Sequence, residues 1–255
     1  MTYEEWIFEI HNTIPSTSDR CFDYISSGAE GVLAVVAYSQ TAGRGTHQRK
    51  WHTPSGNLAF SFTLKSNFPS ENLNFSFSEF QSFIQAAPYL IGISVYEVLK
   101  RILLPEAASF LSLKWPNDLL WKGRKISGIL IESVFEGEVA NIIVGIGLNI
   151  AQSPNIPGRL LTSIKETGSP VIRPEELAKE ILIESKKWFS CWKIGRFPAI
   201  RREWLLRTCP KGTILEVGAG ETAIKGRFVG ITDLGHLMIE DQNGKMKCLV
   251  TTEMR

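Results

Sequence analysis

The 255-residue sequence carries almost no excess of charge, with 28 lysines and arginines against 26 aspartates and glutamates, a formal net of +2. So small a surplus gives no electrostatic reason to expect nucleic acid as the main partner, and neither end bears a basic tail. Cysteine is scarce: Cys21, Cys191, Cys209 and Cys248 form no Cys-x-x-Cys pair and no Cys/His cluster. Neither a structural zinc site nor a disulfide framework is indicated, and free thiols in a reducing cytoplasm fit the pattern. Long apolar runs are missing as well. The most apolar stretch, residues 86–99, contains Pro88 and Glu97 and falls short of a bilayer span. The acidic start, Met1 to Glu5, lacks the basic-then-apolar layout of a signal peptide, so no membrane partner is expected.

What is present is an ordinary globular composition, 44% apolar and 21% charged, enough for one large core or a core with a small appendage. Residues 6–10 fit a strand. Ser16-Thr17-Ser18 offers helix N-cap groups, and the pattern to Ile25 suits a short helix stopped at Gly28. Val32 to Ala37 reads as a buried strand, and Leu58 to Leu64 alternates as a half-buried one. The Ser- and Phe-rich residues 67–83 read as a surface loop, and 89–104 have helical periodicity. Leu119 to Trp121 and Ile126 to Glu132 flank a Lys122-Gly123 turn, and Val139 to Ile150 is another buried strand. Gly145 and Gly147 mark close backbone approach near its end. Helices follow from Pro174 to about Trp192 and from Pro198 to about Cys209. After Pro210-Lys211-Gly212 come short strands near 214–217, 224–231, 237–240 and 246–251, a spacing that suits a small barrel. The expected organisation is an α+β catalytic domain over 1–208, then a small all-β domain over 209–255.

Three segments carry chemistry. Gln40 to Trp51 follows a strand, and Gly43 and Gly45 bracket Arg44 so that the backbone can approach a ligand. Arg44 and Arg49 supply bidentate donors for phosphate or carboxylate oxygens, and Trp51 can stack on a base. The pattern is not a Walker loop. Taken alone, it reads equally as a solvated basic loop. In the second segment, Pro116 opens a bend at Asn117 and Asp118, and Lys125 in the returning strand projects toward the same region. A Pro-Asn-Asp turn beside a solvated lysine accounts for that spacing too. The third, Gly145-Ile146-Gly147-Leu148-Asn149, lacks the remaining glycine and the helix of a dinucleotide fingerprint.

In this order the segments say more. PSTS, GRGTHQRKW, KWPNDLLWKGRKISGILIE and VGIGLNI together closely resemble the biotin protein ligase family, and IKGRFVGITDLGHLMI resembles that family's small SH3-like C-terminal domain. The resemblance implies a mixed, mainly antiparallel sheet flanked by helices, related to lipoate ligases and class II synthetase cores, with an SH3-like barrel after it. It implies an ATP-dependent ligase that activates biotin, with Mg²⁺, and transfers it to a lysine of a carrier domain, that of acetyl-CoA carboxylase or another carboxylase. By the matching positions, Ser16, Thr17, Ser18, Gln40, Gly43, Arg44, Lys125 and Gly128 surround biotin. Arg44, Thr46, Arg49, Trp51, Asn117 and Asn149 serve ATP and the adenylate, and Arg44, Lys125 and Asp118 are the catalytic set. No metal ligand is identified.

Two positions depart from the family's pattern. Ser18 stands where asparagine is common, which weakens its expected contact with biotin. Thr46 stands where the family often carries another arginine, so the adenylate is expected to leak unless Arg49 or His47 compensates. Some members of that family begin with a DNA-binding helix-turn-helix. Here the pattern starts near Met1, and no operator binding is expected. Lipoate ligase is the nearest enzymatic rival, and a non-catalytic biotin-binding module is the rival of another class. Two cations, Arg44 and Lys125, argue against the latter, because neutral biotin rings need neither. Arg227 in the C-terminal segment is a candidate contact for ATP or the acceptor, and a homodimer through a sheet edge is open.

Overall fold

The computed structural model describes residues 6–46, 49–65, 77–136, 139–218 and 223–250. Strand β1 (Trp6–His11), helix α1 (Thr17–Ser26), β2 (Val32–Ala37) and β3 (Leu58–Lys65) come first. Helix α2 (Phe77–Ile102), the short α3 (Pro105–Ala108), β4 (Leu111–Lys114), β5 (Asp118–Trp121), β6 (Arg124–Glu136) and β7 (Val139–Leu148) follow. Helix α4 (Pro174–Leu205) then leads to β8 (Ile214–Val217), β9 (Ile224–Ile231), β10 (Leu237–Glu240) and β11 (Met246–Leu249).

Seven strands form one sheet in the order β1-β2-β3-β7-β6-β5-β4, with only β1 and β2 parallel. The remaining four make an antiparallel sheet, β11-β10-β9-β8, which matches the expected mainly antiparallel α+β class. Strand alternation decides what each face of the large sheet meets. Phe60, Phe62, Val144 and Ile146 face α2 and α4 in the main core. The opposite face packs α1 through Cys21, Tyr24 and Ile25 onto Leu33, Val35 and Ile143. Beyond α1, that second face is lined by small residues. Ser61 pairs with Gly145 and Gly145 with Leu130. One register along, Ala59, Gly147, Gly128, Asp118 and Lys114 stand opposite one another across five strands. A floor of small residues therefore runs from α1 to Gly128, and Asp118 and Lys114 continue its row to the β4 edge.

Several sequence expectations need correcting. Residues 77–83 are helix, not loop, because Phe80 and Phe83 are buried on the core side of α2; residues 67–76 lie outside the described residues. Helix α2 thereby becomes long and apolar enough by length and composition to cross a membrane. Two-thirds (67%) of its most apolar window is nevertheless buried in the protein, as in a core helix. Pro88 sits inside it, where its missing N–H leaves one carbonyl a turn earlier without its helical donor. Strand β4 has no counterpart in the sequence reading. The two expected helices after Pro174 are halves of α4, broken at Arg196 (φ 51, ψ −160). The second half ends at Leu205 rather than Cys209, since Arg207 and Thr208 instead bond Leu113 of β4.

Candidate active site

The N-terminus of α1 is the closed end of a cleft on the small-residue face. Ser16 caps the helix by accepting from the Asp19 N–H (3.3 Å), which turns the next two hydroxyls toward the sheet. Thr17 Oγ1 lies 2.7 Å and Ser18 Oγ 3.1 Å from Ser61 Oγ. Gln40 is fixed from both sides: its Oε1 accepts from the Thr17 N–H (2.8 Å), and its Nε2 donates to Thr53 Oγ1 (3.2 Å). Ser16, Thr17, Ser18, Thr53 and Ser61 are all at most 6% exposed. Buried groups that remain able to donate and accept make a polar cap for a neutral, hydrogen-bonding ring.

The cleft holds about 450 Å³ and is lined by Ser16, Thr17, Ser18, Gln40, Arg44, Thr46, Trp51, Asn117, Lys125 and Gly128, together with Gly45, Ala59, Ser61, Leu130, Gly145 and Gly147. Trp51 lies directly on the glycine floor. A Cβ on Gly147 would fall 2.0 Å from Trp51 Cε2, and one on Gly128 would fall 2.9 Å from Lys125 Nζ. Gly43 does not line this cleft. It lets the loop close against Gln40 and the Trp51 carbonyl, which a Cβ would meet at 2.6 and 2.5 Å. Arg44 is 43% exposed at the mouth, held by Asp19 (2.6 Å) and Glu132 (3.1 Å), so α1 and β6 aim it from both sides.

Two further cavities share lining residues with the first. One of about 640 Å³ lies between the β4–β5 turn and the C-terminal sheet, lined by Thr46, Arg49, Lys114, Trp115, Pro116, Asn117, Asp118, Lys125, Glu216, Val217 and Gly218. The other, about 300 Å³, is lined by Lys50, Trp51, His52, Lys125, Asn149, Pro154, Ile156, Arg159 and Leu161. Lys125 borders all three. Its ammonium forms an ion pair with Asp118 and sits 5.4 Å from the Trp51 ring centroid. Its backbone is pinned by a bridge to Leu161, with its N–H donating to the Leu160 carbonyl (2.8 Å). Asn117 is clamped likewise, donating from Nδ2 to the Ile129 carbonyl and accepting the Ile129 N–H (3.0 Å).

The site residues expected from sequence thus gather around one junction, with qualifications. Asn149 borders the third cavity but is 1% exposed, and its Nδ2 donates to the Thr162 carbonyl (2.9 Å), so it supports a wall. Asp118 is the first residue of β5 rather than part of an irregular bend. His47 lies outside the described residues. The sequence reading missed Ala59, Ser61, Leu130 and Lys114, and took Gly145 and Gly147 only as places of close approach. The available signal was the alternation of Leu58 to Leu64, which sets Ala59 and Ser61 on the face opposite Phe60 and Phe62. Among the described residues no group of three or more His, Cys, Asp or Glu side chains is placed to hold a metal.

Comparison with known proteins bears on this geometry. The sequence profile of the biotin/lipoate A/B protein ligase family matches residues 11–149. The bifunctional ligase/repressor BirA of Bacillus subtilis is 30% identical over 93% of this chain and 70% of its own length. The biotin–[acetyl-CoA-carboxylase] ligase of Paracoccus denitrificans is 31% identical over 87% of this chain and 89% of its own. Among solved structures, the biotin protein ligase of Aquifex aeolicus in complex with biotin and ATP superposes with a TM-score of 0.72. It is 28% identical, with 98% of this chain and 97% of that one covered.

Proposed function

The chain belongs to the biotin/lipoate A/B protein ligase family, and from that membership we propose how its three cavities divide the work of a biotin ligase. The enzyme uses ATP to activate biotin as biotinyl-5′-AMP and transfers the acyl group to a protein lysine. The cleft under α1 takes biotin, with its ureido ring against Thr17, Ser18, Ser61 and Gln40 and its chain over Ala59 and Leu130. The cavity beyond Trp51 takes the adenosine, and the one beside Asp118 takes the phosphates. The observation that carries this reading is Lys125, which among the described residues is the one that borders all three.

In the first step a biotin carboxylate oxygen attacks the α-phosphorus and pyrophosphate leaves. Two anions must meet, and Lys125 and Arg44 supply fixed positive charge where they do. Mg²⁺ brought in on ATP would screen the same repulsion, and the carboxylates of Asp118 and Glu216 suit an ion held mainly by phosphate oxygens and water. Trp51 and the Gly43–Gly45 strand of the loop cover the floor and keep water from the mixed anhydride. Arg49 lines the phosphate-side cavity together with Thr46, so a cation three residues along compensates for the arginine missing at Thr46. In the second step the acceptor amine attacks the acyl carbon and AMP leaves. Asp118, two strands from the floor's centre, orients that amine or takes its proton.

The acceptor is a lysine of a biotin carrier domain, that of acetyl-CoA carboxylase. The test incubates the protein with such a domain, ATP and either biotin or lipoate, and reads acylation of the carrier lysine by mass spectrometry. ATP-dependent biotin addition is expected. Lipoate addition in its place would move the chain to the lipoate branch of the family.

A further inference from the structure

Arg44 lines the cleft under α1, yet neither of the carboxylates that hold it does. Asp19 stands in the first turn of α1, directly after the Thr17-Ser18 pair. Glu132 follows Leu130 at the next alternate position of β6, so it stands on the cleft's face of the sheet. The guanidinium joins the two: Nη1 is 2.6 Å from Asp19, and Nη2 lies 3.1 Å from each oxygen of Glu132. Among the described residues neither carboxylate has another ion-pair partner. One cation between two carboxylates leaves a net negative cluster at the mouth of a cleft whose substrate arrives as an anion. Arg44 presents little net positive charge to that anion while both carboxylates hold it.

The two contacts are not equal. The N-terminal end of α1 supports a negative charge at Asp19, and that side chain is 43% exposed, so helix and water stabilise it without Arg44. Glu132 is less exposed, at 31%, and lies on a strand with no helix end to stabilise it. We propose that Asp19 is a positioning residue that ties Arg44 to α1 in the free enzyme and yields it to the incoming biotin carboxylate, while Glu132 keeps the guanidinium over β6 through the reaction. The proposal deepens the functional reading above and rests on it for the identity of the anion. One carboxylate replaces another on the same guanidinium, so the number of charge-assisted contacts is conserved and the exchange reverses when product leaves. Asp19 thus governs biotin entry, and Glu132 the aim of Arg44 during adenylate formation.

The test follows biotin association by stopped-flow tryptophan fluorescence, and biotin KM and kcat by pyrophosphate exchange, in wild type, Asp19→Asn, Asp19→Glu and Glu132→Gln. Rotation of the Arg44 guanidinium in the ligand-free protein, read by NMR and assigned by its loss in Arg44→Lys, gives a measure independent of catalysis. In Asp19→Asn, association is expected to quicken and biotin KM to fall about fivefold, the upper end for releasing one exposed ion pair, with kcat within about twofold. Asp19→Glu is expected to restore wild-type values. Glu132→Gln is expected to lower kcat about tenfold, since Arg44 is then no longer aimed. The guanidinium is expected to rotate slowly in wild type and faster in Asp19→Asn. Association that is unchanged or slower in Asp19→Asn, a fall in its kcat at constant KM, or a guanidinium as free in wild type as in Asp19→Asn would overturn the proposal. A guanidinium released by Asp19→Asn, in a protein that binds no biotin, would keep the tie and remove the ligase reading instead.

Discussion

At the scale of single residues, the glycines of the floor matter as much as the charges. A strand glycine has no side chain to pack and weakens its strand, so three of them on one face, Gly128, Gly145 and Gly147, mark space reserved for something else. Gly147→Ala puts a methyl group inside the Trp51 indole. The ring must leave the floor, and on the proposed reading the adenosine would lose its stacking partner. ATP KM is therefore expected to rise about tenfold, the size of one aromatic contact, with biotin affinity changed much less. Initial rates over a range of ATP concentrations check this, and an unchanged ATP KM would mean that Trp51 does not stack on the base. Charged and loop residues such as Arg44 and Lys125 were legible in the sequence because their motifs announce them. Ser61 and Lys114 were not. Alternation assigns Ser61 its face, but only the packing of α1 shows that it backs the Thr17 hydroxyl, and only cross-strand register shows that Lys114 ends the row.

At the scale of elements, the C-terminal sheet is tied to the site by one buried strut. The Trp115 indole N–H donates to the Tyr89 hydroxyl (2.9 Å) and to the Gly235 carbonyl (2.9 Å). The Tyr89 hydroxyl in turn donates to the same carbonyl, and burial pushes its ionisation upward, which keeps it a donor. Trp115 lies in the turn with Pro116 and Asn117 that leads into Asp118, so the β9–β10 connection helps to place that turn. Tyr89→Phe keeps the ring contacts with Phe197 and Trp204 but removes the hydroxyl. A loss of about 1–2 kcal/mol in stability is expected, together with faster hydrogen exchange around Gly235. Equilibrium denaturation and exchange mass spectrometry measure both, and no change in either would show the strut to be incidental. None of this was visible in the sequence, where the C-terminal strands read as a separate barrel, because the partners lie more than a hundred residues apart (|i−j| of 146 and 120). The strands themselves were legible, since their alternation and turns are local. Strand β4 was not, being only four residues of Leu-Ser-Leu-Lys defined by its pairing with β5.

At the scale of the whole molecule, one mainly antiparallel sheet does two jobs. Its bulky face builds the core with α2 and α4, and its small-residue face stays open as the floor of the site. On the proposed reading the order of strands sets the order of chemistry, with biotin under α1 near β3 and β7 and the reacting phosphorus over β6 at Lys125. The central claim is that Lys125 stands where these meet. Radiolabelled pyrophosphate exchange into ATP, with and without biotin, on wild type and Lys125→Ala, tests it most directly. The account predicts exchange that requires biotin and falls at least about a hundredfold in the variant, the scale of removing one charge from a developing transition state. Biotin-dependent exchange that survives in Lys125→Ala at the wild-type rate would contradict it.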